Sequence, residues 1–525
     1  MGRKILFITT DQQRYDALGC NGGTVARTPV ADALAAGGVR YERAYCQNTV
    51  CMPARSTLLT GQYPRTHGVV ANGIPLPPDA PSVARHLRDS AGYRTALIGK
   101  AHFEPISDPG LRWEENRLGA SGRHGPYRGF EHVEFAGHGP WGKTHYARWL
   151  KREHPGRRDG FARIFDGTPR GDTGAPEVAY NPVPRGLYHT DWIADRVIAW
   201  LDTLDPDDDW LCWMSFPDPH HPWDPPAAER HRVDWRDLDL PAGHPGSADR
   251  AREILAAKPA HWLAWYEGRV PNLDGAPGDF VPARMTADQL REISALIHIE
   301  NELLDEACGR VLARIAERGW DADTDVFLTT DHGEFQGDFG LLYKGPYHVD
   351  SLMRLPLIWR PAPATGTAPA VVTDPVGQID LAPTFCRIAG LPVPEWMQGR
   401  PLPAAPDPTR ERALCEWDSQ LDHGLRMRSI YRDGWLLTAY EPSTPGEGIP
   451  TAGLLRHYGL PAVEVPRIVY GGDEGELYNL REDPHQWRNL WADPGHAAIR
   501  REMVEDLYDN LPSPRRPPLA VEAMA

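Results

Sequence analysis

Residues 51–61 read CMPARSTLLTG, which places a thiol, a proline, an arginine and a glycine at a fixed spacing. Pro53 suits the first position of a helix, and Gly61 suits the left-handed residue that ends one. Cys51 would then lie beside the unpaired N–H groups of the helix start, with Arg55 one turn further on. Such an arrangement favours binding of a sulfate or phosphate group. Alone, the pattern fits a small buried cysteine equally well.

Four apolar, strand-like runs supply the context, because each leads directly into residues able to do chemistry. Continuous runs of β-branched and aromatic residues that alternate with helical stretches predict a parallel sheet covered on both faces. Ligands of such sheets bind beyond the carboxyl ends of the strands, so the four ends should converge on one site. The runs and their polar ends are 5–10 with Asp11 and Gln12, 95–98 with Lys100 and His102, 210–216 with His220, and 326–330 with Asp331 and His332.

Length and composition predict the scaffold for these residues. The chain has 525 residues, 41% of them hydrophobic, and no apolar run long enough to cross a bilayer, which indicates a globular protein without a membrane partner. The formal charge of −16 argues against nucleic acid as a partner. Seven cysteines without a Cys-x-x-Cys pair fit reduced thiols. Because the N-terminus leads straight into a strand, we expect a cytoplasmic protein.

Helix signals and composition shifts predict the domain organisation. Helices are expected at 29–37, 81–90, 191–204 with Thr190 as cap, and 286–318 with Gly319 as stop. We place a catalytic domain at 1–400, with long excursions at 105–186 and 225–282 over the active edge of the sheet. Residues 409–525 should form a smaller antiparallel subdomain, with a hairpin at 425–438 and a closing helix at 497–511.

The combined motifs resemble the type I sulfatase family of the alkaline phosphatase superfamily. The similarity covers most of 1–104, 192–222, 290–402 and 411–490. The matching segments are Cys-x-Pro-x-Arg with Thr60-Gly61, Gly99-Lys100-Ala101-His102, Pro219-His220-His221-Pro222, Asp331-His332-Gly333-Glu334 with Lys344, and Glu476-Leu477-Tyr478-Asn479-Leu480. The resemblance implies an alkaline phosphatase-like α/β fold, a large and mostly parallel sheet between helices with a smaller C-terminal antiparallel α+β subdomain.

The resemblance also implies the cofactors. In the family, the motif cysteine is oxidised by a formylglycine-generating enzyme, and the hydrated aldehyde is the nucleophile; Cys51 is the matching position. One hydroxyl attacks the sulfur of a small anionic ester, and the other allows the bound sulfate to be expelled. Asp11, Gln12, Asp331, His332 and residue 51 itself are implied as ligands of one divalent metal ion.

The remaining motif residues receive roles from their charge and reach. Arg55 and Lys100 would stabilise the modified side chain and the developing anion, and His102 would take a proton when the sulfate is expelled. His220 and Lys344 would bind the sulfate and assist the leaving oxygen. His221, His348 and Asp218 lack this support, and we expect them not to be catalytic, although His348 could line the pocket.

Two departures from the commonest sulfatase pattern bear on metal and substrate. Gln12 and His332 stand where many sulfatases have aspartate and asparagine, and both resemble the choline sulfatase and phosphonate monoester hydrolase branches. An amide and an imidazole soften the site, so Mn²⁺ competes with the Ca²⁺ that the family implies. Aromatic residues of the excursions, such as Tyr146, Trp262 and Trp265, could form a wall for the substrate, although packing in the core is the favoured interpretation.

The preferred function is that of a sulfuric ester hydrolase, similar to arylsulfatases and choline sulfatases. The first alternative is a phosphonate monoester or phosphodiester hydrolase that uses the same nucleophile. The second is a non-catalytic anion-binding protein in which Cys51 remains a thiol. The sequence is also compatible with a homo-oligomer.

Overall fold

The computed structural model describes residues 3–106, 108, 110–140, 142–162, 171–272, 276, 280–419, 424–442 and 468–523. Its strands are β1 (Lys4–Thr10), β2 (Val39–Tyr41), β3 (Ala44–Tyr45), β4 (Arg94–Gly99), β5 (His132–Phe135), β6 (Trp210–Ser215), β7 (Thr324–Thr330), β8 (Arg354–Leu355), β9 (Leu357–Arg360), β10 (Ala370–Val372), β11 (Val376–Gly377), β12 (Arg412–Asp418), β13 (Arg426–Arg432), β14 (Trp435–Glu441) and β15 (Gly475–Asn479).

The helices lie between these strands and after the last of them. They are α1 (Pro29–Ala36), α2 (Cys51–Thr60), α3 (Pro64–His67), α4 (Val83–Ala91), α5 (Glu114–Ser121), α6 (His145–Glu153), α7 (Pro155–Ala162), α8 (His189–Leu201), α9 (Ala248–Ala256), α10 (Ala260–Tyr266), α11 (Ala287–Glu317), α12 (Asp350–Met353), α13 (Leu381–Ile388) and α14 (Ala497–Asn510).

A central sheet has the strand order β10-β2-β9-β7-β1-β6-β4-β5 among the described residues. The block from β7 to β5 is parallel throughout, and β9 runs antiparallel beside β7. All seven residues of the central strand β1 are buried. A sheet that is buried on both faces requires the continuous apolar runs seen in the sequence, so the prediction of a mostly parallel sheet is confirmed.

Helices cover both faces of this sheet. The side chains of β1 alternate between two hydrophobic clusters, with Ile5 and Phe7 in one and Leu6 and Ile8 in the other. The first cluster includes residues of α2, α4 and α13, and the second includes residues of α1, α8 and α11. This arrangement puts the carboxyl ends of β1, β4, β6 and β7 at one edge, where the start of α2 meets them.

The starts of three helices, α2, α8 and α4, differ from the prediction. Helix α2 begins at Cys51, so Pro53 is its third residue and not its first. The missing N–H of Pro53 is still among the first four, which have no partner inside a helix. Helix α8 begins at His189, and Thr190 is no cap, because its hydroxyl donates to the carboxylate of Asp218.

Predicted helix signals are found in place at the end of α2 and at the start of α11. Gly61 ends α2 with a φ of 66°, and its amide donates to Thr57 O at 2.8 Å. Helix α4 begins at Val83 and not at residue 81, because Ser82 is its N-cap and accepts from the amide of Arg85 at 3.3 Å. Thr286 and Gln289 form a capping box at the start of α11.

The excursions contain more regular structure than the sequence indicated. Segment 105–186 contributes β5, which pairs in parallel with β4 as an edge strand, and helices α5 to α7. Val133 and Phe135 of β5 are buried in the core and explain why this short strand forms. Segment 225–282 carries α9 and α10. Prediction of these segments as loops alone was therefore wrong.

A second, antiparallel sheet has the order β12-β13-β14-β15. The predicted hairpin is its pair β13 and β14, with Arg432 opposite Trp435 at the turn. Helix α14 packs on this sheet through Met503 and Leu507, and the smaller antiparallel unit of the predicted fold class is thereby confirmed. Among the described residues, no helix combines the length and the apolar character needed to cross a membrane.

Candidate active site

Four strand ends and one helix start bring the polar motif residues together. Asp11 follows β1, Lys100 follows β4, Asp331 follows β7, and His220 lies in the loop after β6. Cys51 is the first residue of α2. The sequence predicted this convergence from the common direction of the strands.

Cys51 lies at the centre of the group. Its Sγ is 3.2 Å from Nε2 of His332, 3.7 Å from Oδ1 of Asp11 and 3.8 Å from Nζ of Lys100. Burial and the Asp11 carboxylate raise the pKa of the Cys51 thiol to about 12. The thiol is therefore neutral at pH 7 and a poor nucleophile as it stands.

Four of these side chains are arranged to bind a cation. Ligand atoms of Asp11, Cys51, Asp331 and His332 all lie within 4.8 Å of one another, and all four residues are buried. The Nδ1 of His332 lies 3.0 Å from the carbonyl of Gly333 and donates to it, so Nε2 carries the lone pair that faces Cys51. Two carboxylates, an imidazole nitrogen and the side chain at position 51 form a donor set that fits a divalent ion.

Gln12, the fifth predicted ligand, borders this cluster. Its backbone is left-handed, with a φ of 65°, and its backbone amide donates to Oδ1 of Asp331 at 3.1 Å. The side-chain Nε2 donates to the carboxylate of Glu334, which fixes the orientation of the amide. Its Oε1 accepts from Nζ of Lys344 at 2.6 Å. Glu334 received no role from the sequence, although it belongs to a motif that was recognised.

Arg55 lies behind the carboxylates and not beside the nucleophile position. Its Nε donates to Asp331 at 2.9 Å and an Nη donates to Asp11 at 3.2 Å. The other Nη donates to the carbonyl of Lys100 at 2.9 Å and to Oγ of Ser215 at 2.8 Å. The guanidinium thus contacts residues at the ends of four strands, β1, β4, β6 and β7, and lies beside two buried carboxylates.

Two lysine–histidine pairs line the opposite side of Cys51. Lys100 Nζ lies 2.8 Å from Nε2 of His138, and Lys344 Nζ lies 2.7 Å from Nε2 of His220. The rings of His138 and His220 stack with centroids 4.0 Å apart. Lys100 also forms an ion pair with Asp11. Burial together with nearby positive charge holds the pKa of both imidazoles well below the usual value, so both rings are neutral.

His102 is positioned through its backbone, and its ring makes no hydrogen bond to the described residues. Its φ is 58°, and its amide donates to Oε2 of Glu115 at 3.2 Å. Both ring nitrogens are buried and have no hydrogen-bond partner among the described residues. Burial and the charge of Lys100 lower the pKa of His102 far below its usual value. A neutral ring with two unused nitrogens is able to accept a proton.

The residues that we expected not to be catalytic have other contacts. Asp218 accepts from His189 at 2.5 Å, and its carbonyl accepts from the amide of Asp11 at 3.0 Å. His348 contacts Ser429 at 2.6 Å and Cys415 at 3.6 Å, both in the antiparallel sheet. His221 lies beside Gln12, with 3.5 Å between Nδ1 and Nε2.

The aromatic residues considered for a substrate wall are packing residues where the structure describes them. Tyr146 is buried and lies 5.4 Å from Trp192, measured between ring centroids. Trp262 and Trp265 are buried in a cluster with Phe335 and Tyr347. These contacts support a role in core packing for the three residues and not a role in a substrate-binding wall.

His138 is the residue of the site that the sequence analysis missed. It follows the short strand β5 within the stretch Gly137-His138-Gly139, and β5 was read as part of a loop excursion. The signal resembles that at Gly99-Lys100, a buried run that leads into glycine and a polar residue, but the run is only four residues long.

Known proteins resemble this chain over most of its length. A family model described as "Sulfatase" matches residues 3–391. A protein of Escherichia coli (strain K12) named "Uncharacterized sulfatase YidJ" is 25% identical over 518 residues, 98% of this chain and 88% of that protein. An N-acetylglucosamine-6-O-sulfatase of Bacteroides thetaiotaomicron is 24% identical and covers 96% of this chain and 85% of its own length.

A solved structure extends the likeness to the whole fold. The phosphonate monoester hydrolase SpPMH from Silicibacter pomeroyi superposes with a TM-score of 0.71 at 25% identity. The alignment covers 97% of this chain and 96% of that protein.

Proposed function

We infer that this chain, which belongs to the sulfatase family and is a sulfuric ester hydrolase, acts through a formylglycine nucleophile made from Cys51. The observation that carries this proposal is the position of the Cys51 thiol, whose Sγ lies 3.2 Å from Nε2 of His332 and 3.8 Å from Nζ of Lys100. A neutral thiol lies there among a cation-binding donor set and the ammonium groups of two lysines. Hydrated formylglycine supplies two hydroxyls, one to attack sulfur and one to release the sulfate afterwards.

Asp11, Gln12, Asp331, His332 and the side chain at position 51 would hold one divalent ion. When bound, the ion supplies positive charge that lowers the pKa of the nucleophilic hydroxyl and stabilises a sulfate oxygen. Ca²⁺ is the first candidate and Mn²⁺ the second, because the imidazole of His332 and the amide of Gln12 soften the site. Elemental analysis of the purified protein distinguishes the two.

The other site residues act on charge and protons. Lys100 binds the ester oxygens, and Arg55 donates to the carboxylates of Asp11 and Asp331 and holds them in position. Lys344, which donates to His220, supplies the proton or positive charge that the leaving oxygen requires. His102 takes the proton of the second hydroxyl when the sulfate is expelled and the aldehyde forms again. A formylglycine-generating enzyme is the one maturation partner that the proposal requires.

Mass spectrometry of the tryptic peptide 44–55 tests the nucleophile directly. We expect an aldehyde or its hydrate at Cys51 in protein produced together with a formylglycine-generating enzyme. Cys46 in the same peptide serves as an internal alkylation control. Cys51→Ala should abolish turnover of 4-nitrophenyl sulfate. Two alkylatable thiols in an active preparation would contradict the mechanism, and two thiols in an inactive one would favour an anion-binding protein.

Phosphonate monoester hydrolysis is the second candidate. It is favoured by the likeness to the phosphonate monoester hydrolase over 97% of the chain and by Gln12 and His332 in the donor set. Both substrate types are tetrahedral anions, so one site can accept either. The ratio of kcat/KM for 4-nitrophenyl sulfate to that for 4-nitrophenyl phenylphosphonate, measured on one preparation of known aldehyde content, decides between them.

A further inference from the structure

A second group of side chains able to bind a metal ion lies at β5, the edge strand of the central sheet. His132 and Glu134 are two residues apart on this strand, so their side chains point to the same face of the sheet. His124 lies beside them, because its carbonyl accepts from the amide of Val133 at 2.8 Å. One nitrogen of each imidazole and one oxygen of the carboxylate all lie within 4.8 Å of one another. The group shares no residue with the active site.

The pair of His132 and Glu134 already has the spacing of two ligands on one ion. Nε2 of His132 lies 3.1 Å from Oε1 of Glu134. Two ligands of a tetrahedral Zn²⁺, each about 2.0–2.1 Å from the ion, lie about 3.3 Å apart. The ring of His124 stacks on that of His132, with centroids 5.0 Å apart and an angle of 5° between the planes. His124 is exposed, so its ring can rotate to bring a nitrogen closer to the other two ligands.

Two neighbouring side chains border the group without belonging to it. His145 stacks on His124 with centroids 5.3 Å apart. Its Nδ1 accepts from a backbone amide and its Nε2 donates to a backbone carbonyl, both at 2.9 Å, so neither nitrogen is available to a metal ion. Arg196 Nε lies 3.5 Å from Oε1 of Glu134 and has no hydrogen-bond partner among the described residues. It therefore acts on the carboxylate through its charge.

We propose that His124, His132 and Glu134 bind a divalent transition-metal ion, for which Zn²⁺ is the best fit. Two imidazoles and one carboxylate form a donor set that zinc accepts in a tetrahedral site, with water in the fourth position. The exposure of His124 opens that position to solvent. Ca²⁺ and Mg²⁺ fit poorly, because both prefer six or more ligands that are mainly oxygen atoms. Binding here requires neither a modified Cys51 nor turnover.

Equilibrium dialysis of the full, untagged chain against micromolar Zn²⁺, followed by elemental analysis, tests this site. Wild type should hold one more Zn²⁺ per chain than His132→Gln, because glutamine removes the imidazole and keeps a polar side chain. Any Zn²⁺ held by the donor set around Cys51 is common to both proteins and cancels in this difference. Loss of an outer partner alone costs roughly 10- to 100-fold in metal affinity, so loss of a ligand should cost at least about 100-fold in calorimetry.

Two further variants make the test specific. His496→Gln is the matched control, because His496 pairs with Asp493 at 3.3 Å but belongs to no group of three such ligands among the described residues. It should bind as much Zn²⁺ as wild type. Arg196→Gln should tighten zinc binding severalfold, because it removes a positive charge beside Glu134. Circular dichroism of each variant establishes that it has folded.

Equal occupancy and affinity in wild type and His132→Gln would overturn the proposal, and so would an equal loss in the His496→Gln control. Zinc binding no tighter in Arg196→Gln would count against Glu134 as a ligand. An ion that binds only the folded state raises the Tm. Saturating Zn²⁺ should therefore raise the Tm of wild type more than that of His132→Gln, which checks the site by a measurement independent of occupancy.

Discussion

Glu115 is an example of a residue that sets the position of another without reaching the nucleophile. Its carboxylate accepts from the backbone amides of His102, Phe103 and Glu104 at 2.9 to 3.2 Å, and from the hydroxyl of Tyr127 at 2.7 Å. These bonds hold the left-handed turn that carries the ring of His102 into the site. Burial and the neighbouring Glu104 raise the pKa of Glu115 to about 7.

This raised pKa predicts a pH dependence of stability. Between the ordinary value of 4.5 and about 7, the native state keeps a proton that the unfolded chain has lost. Stability should therefore fall as pH rises through this window, by at most about 1.4 kcal/mol per pH unit from this group. Glu115→Gln should flatten the profile of unfolding free energy between pH 4.5 and 7, as measured by urea denaturation. An unchanged slope would show that another group is responsible.

At the scale of elements, Gly99 ends β4 immediately before Lys100. Its φ is 111°, and a Cβ built there would lie 1.7 Å from the carbonyl oxygen of Ser215 on the neighbouring strand β6. The backbone of β4 can approach β6 this closely only without a side chain. That approach allows the backbone amide of Lys100 to donate to Ser215 O at 2.8 Å. The hydrogen bond fixes the position of the Lys100 backbone, from which its side chain extends into the site.

Gly99→Ala should therefore separate the two strand ends and displace Lys100. We expect a loss of at least about 3 kcal/mol of stability, or failure to fold, together with loss of turnover. Gly92→Ala is the matched control, because Gly92 precedes the same strand with a φ of 71° and has open space around it. Thermal unfolding should show a cost of about 1 kcal/mol for the control with activity retained.

The elements that could be predicted from sequence are those whose signal is long and local. Helix α11 is predicted by its cap residues and by an apolar pattern that continues over 31 residues. Strands β1, β6 and β7 are predicted by their buried apolar runs, without information from other parts of the chain. Strand β5 was missed because only two of its four residues point into the core. The start of α8 was misplaced because Thr190 is engaged by Asp218, a contact between residues distant in sequence.

The same distinction applies to the site. The convergence of Asp11, Lys100, Asp331 and Cys51 follows from strand direction and could be predicted. The pairing of Lys100 with His138, and the position of Arg55 behind the carboxylates, depend on how loops and side chains pack together, which the sequence pattern does not encode.

At the scale of the whole molecule, buried polar contacts join the excursion 225–282 to the antiparallel sheet and to the loop that follows β15. Lys258 Nζ is fully buried, donates to the carbonyl of Gln486 at 2.9 Å and lies 3.6 Å from the carboxylate of Glu476. It also lies over the rings of Trp262 and Tyr478, at 4.5 and 4.3 Å from their centroids. Trp262 donates to Glu476 at 3.1 Å.

Breaking this buried pair from one side should be costly. Lys258→Met leaves the charge of Glu476 buried without its cation, and we expect a loss of about 3–5 kcal/mol in the free energy of unfolding. Adding Glu476→Gln to that variant should recover part of the loss, because no uncompensated charge remains. A double-mutant cycle by chemical denaturation measures the coupling, and additive losses would argue against it.

All ten residues of α2 are buried, and Cys51 is only 2% exposed. A modifying enzyme that must bind the peptide around Cys51 has no access to it once α2 is buried in the folded protein. In the proposed maturation, conversion of Cys51 to formylglycine would therefore have to precede folding, and chains that fold first would keep the thiol. Under that proposal the relative rates of modification and folding would set the fraction of active protein, and later addition of the modifying enzyme to folded protein should not raise it.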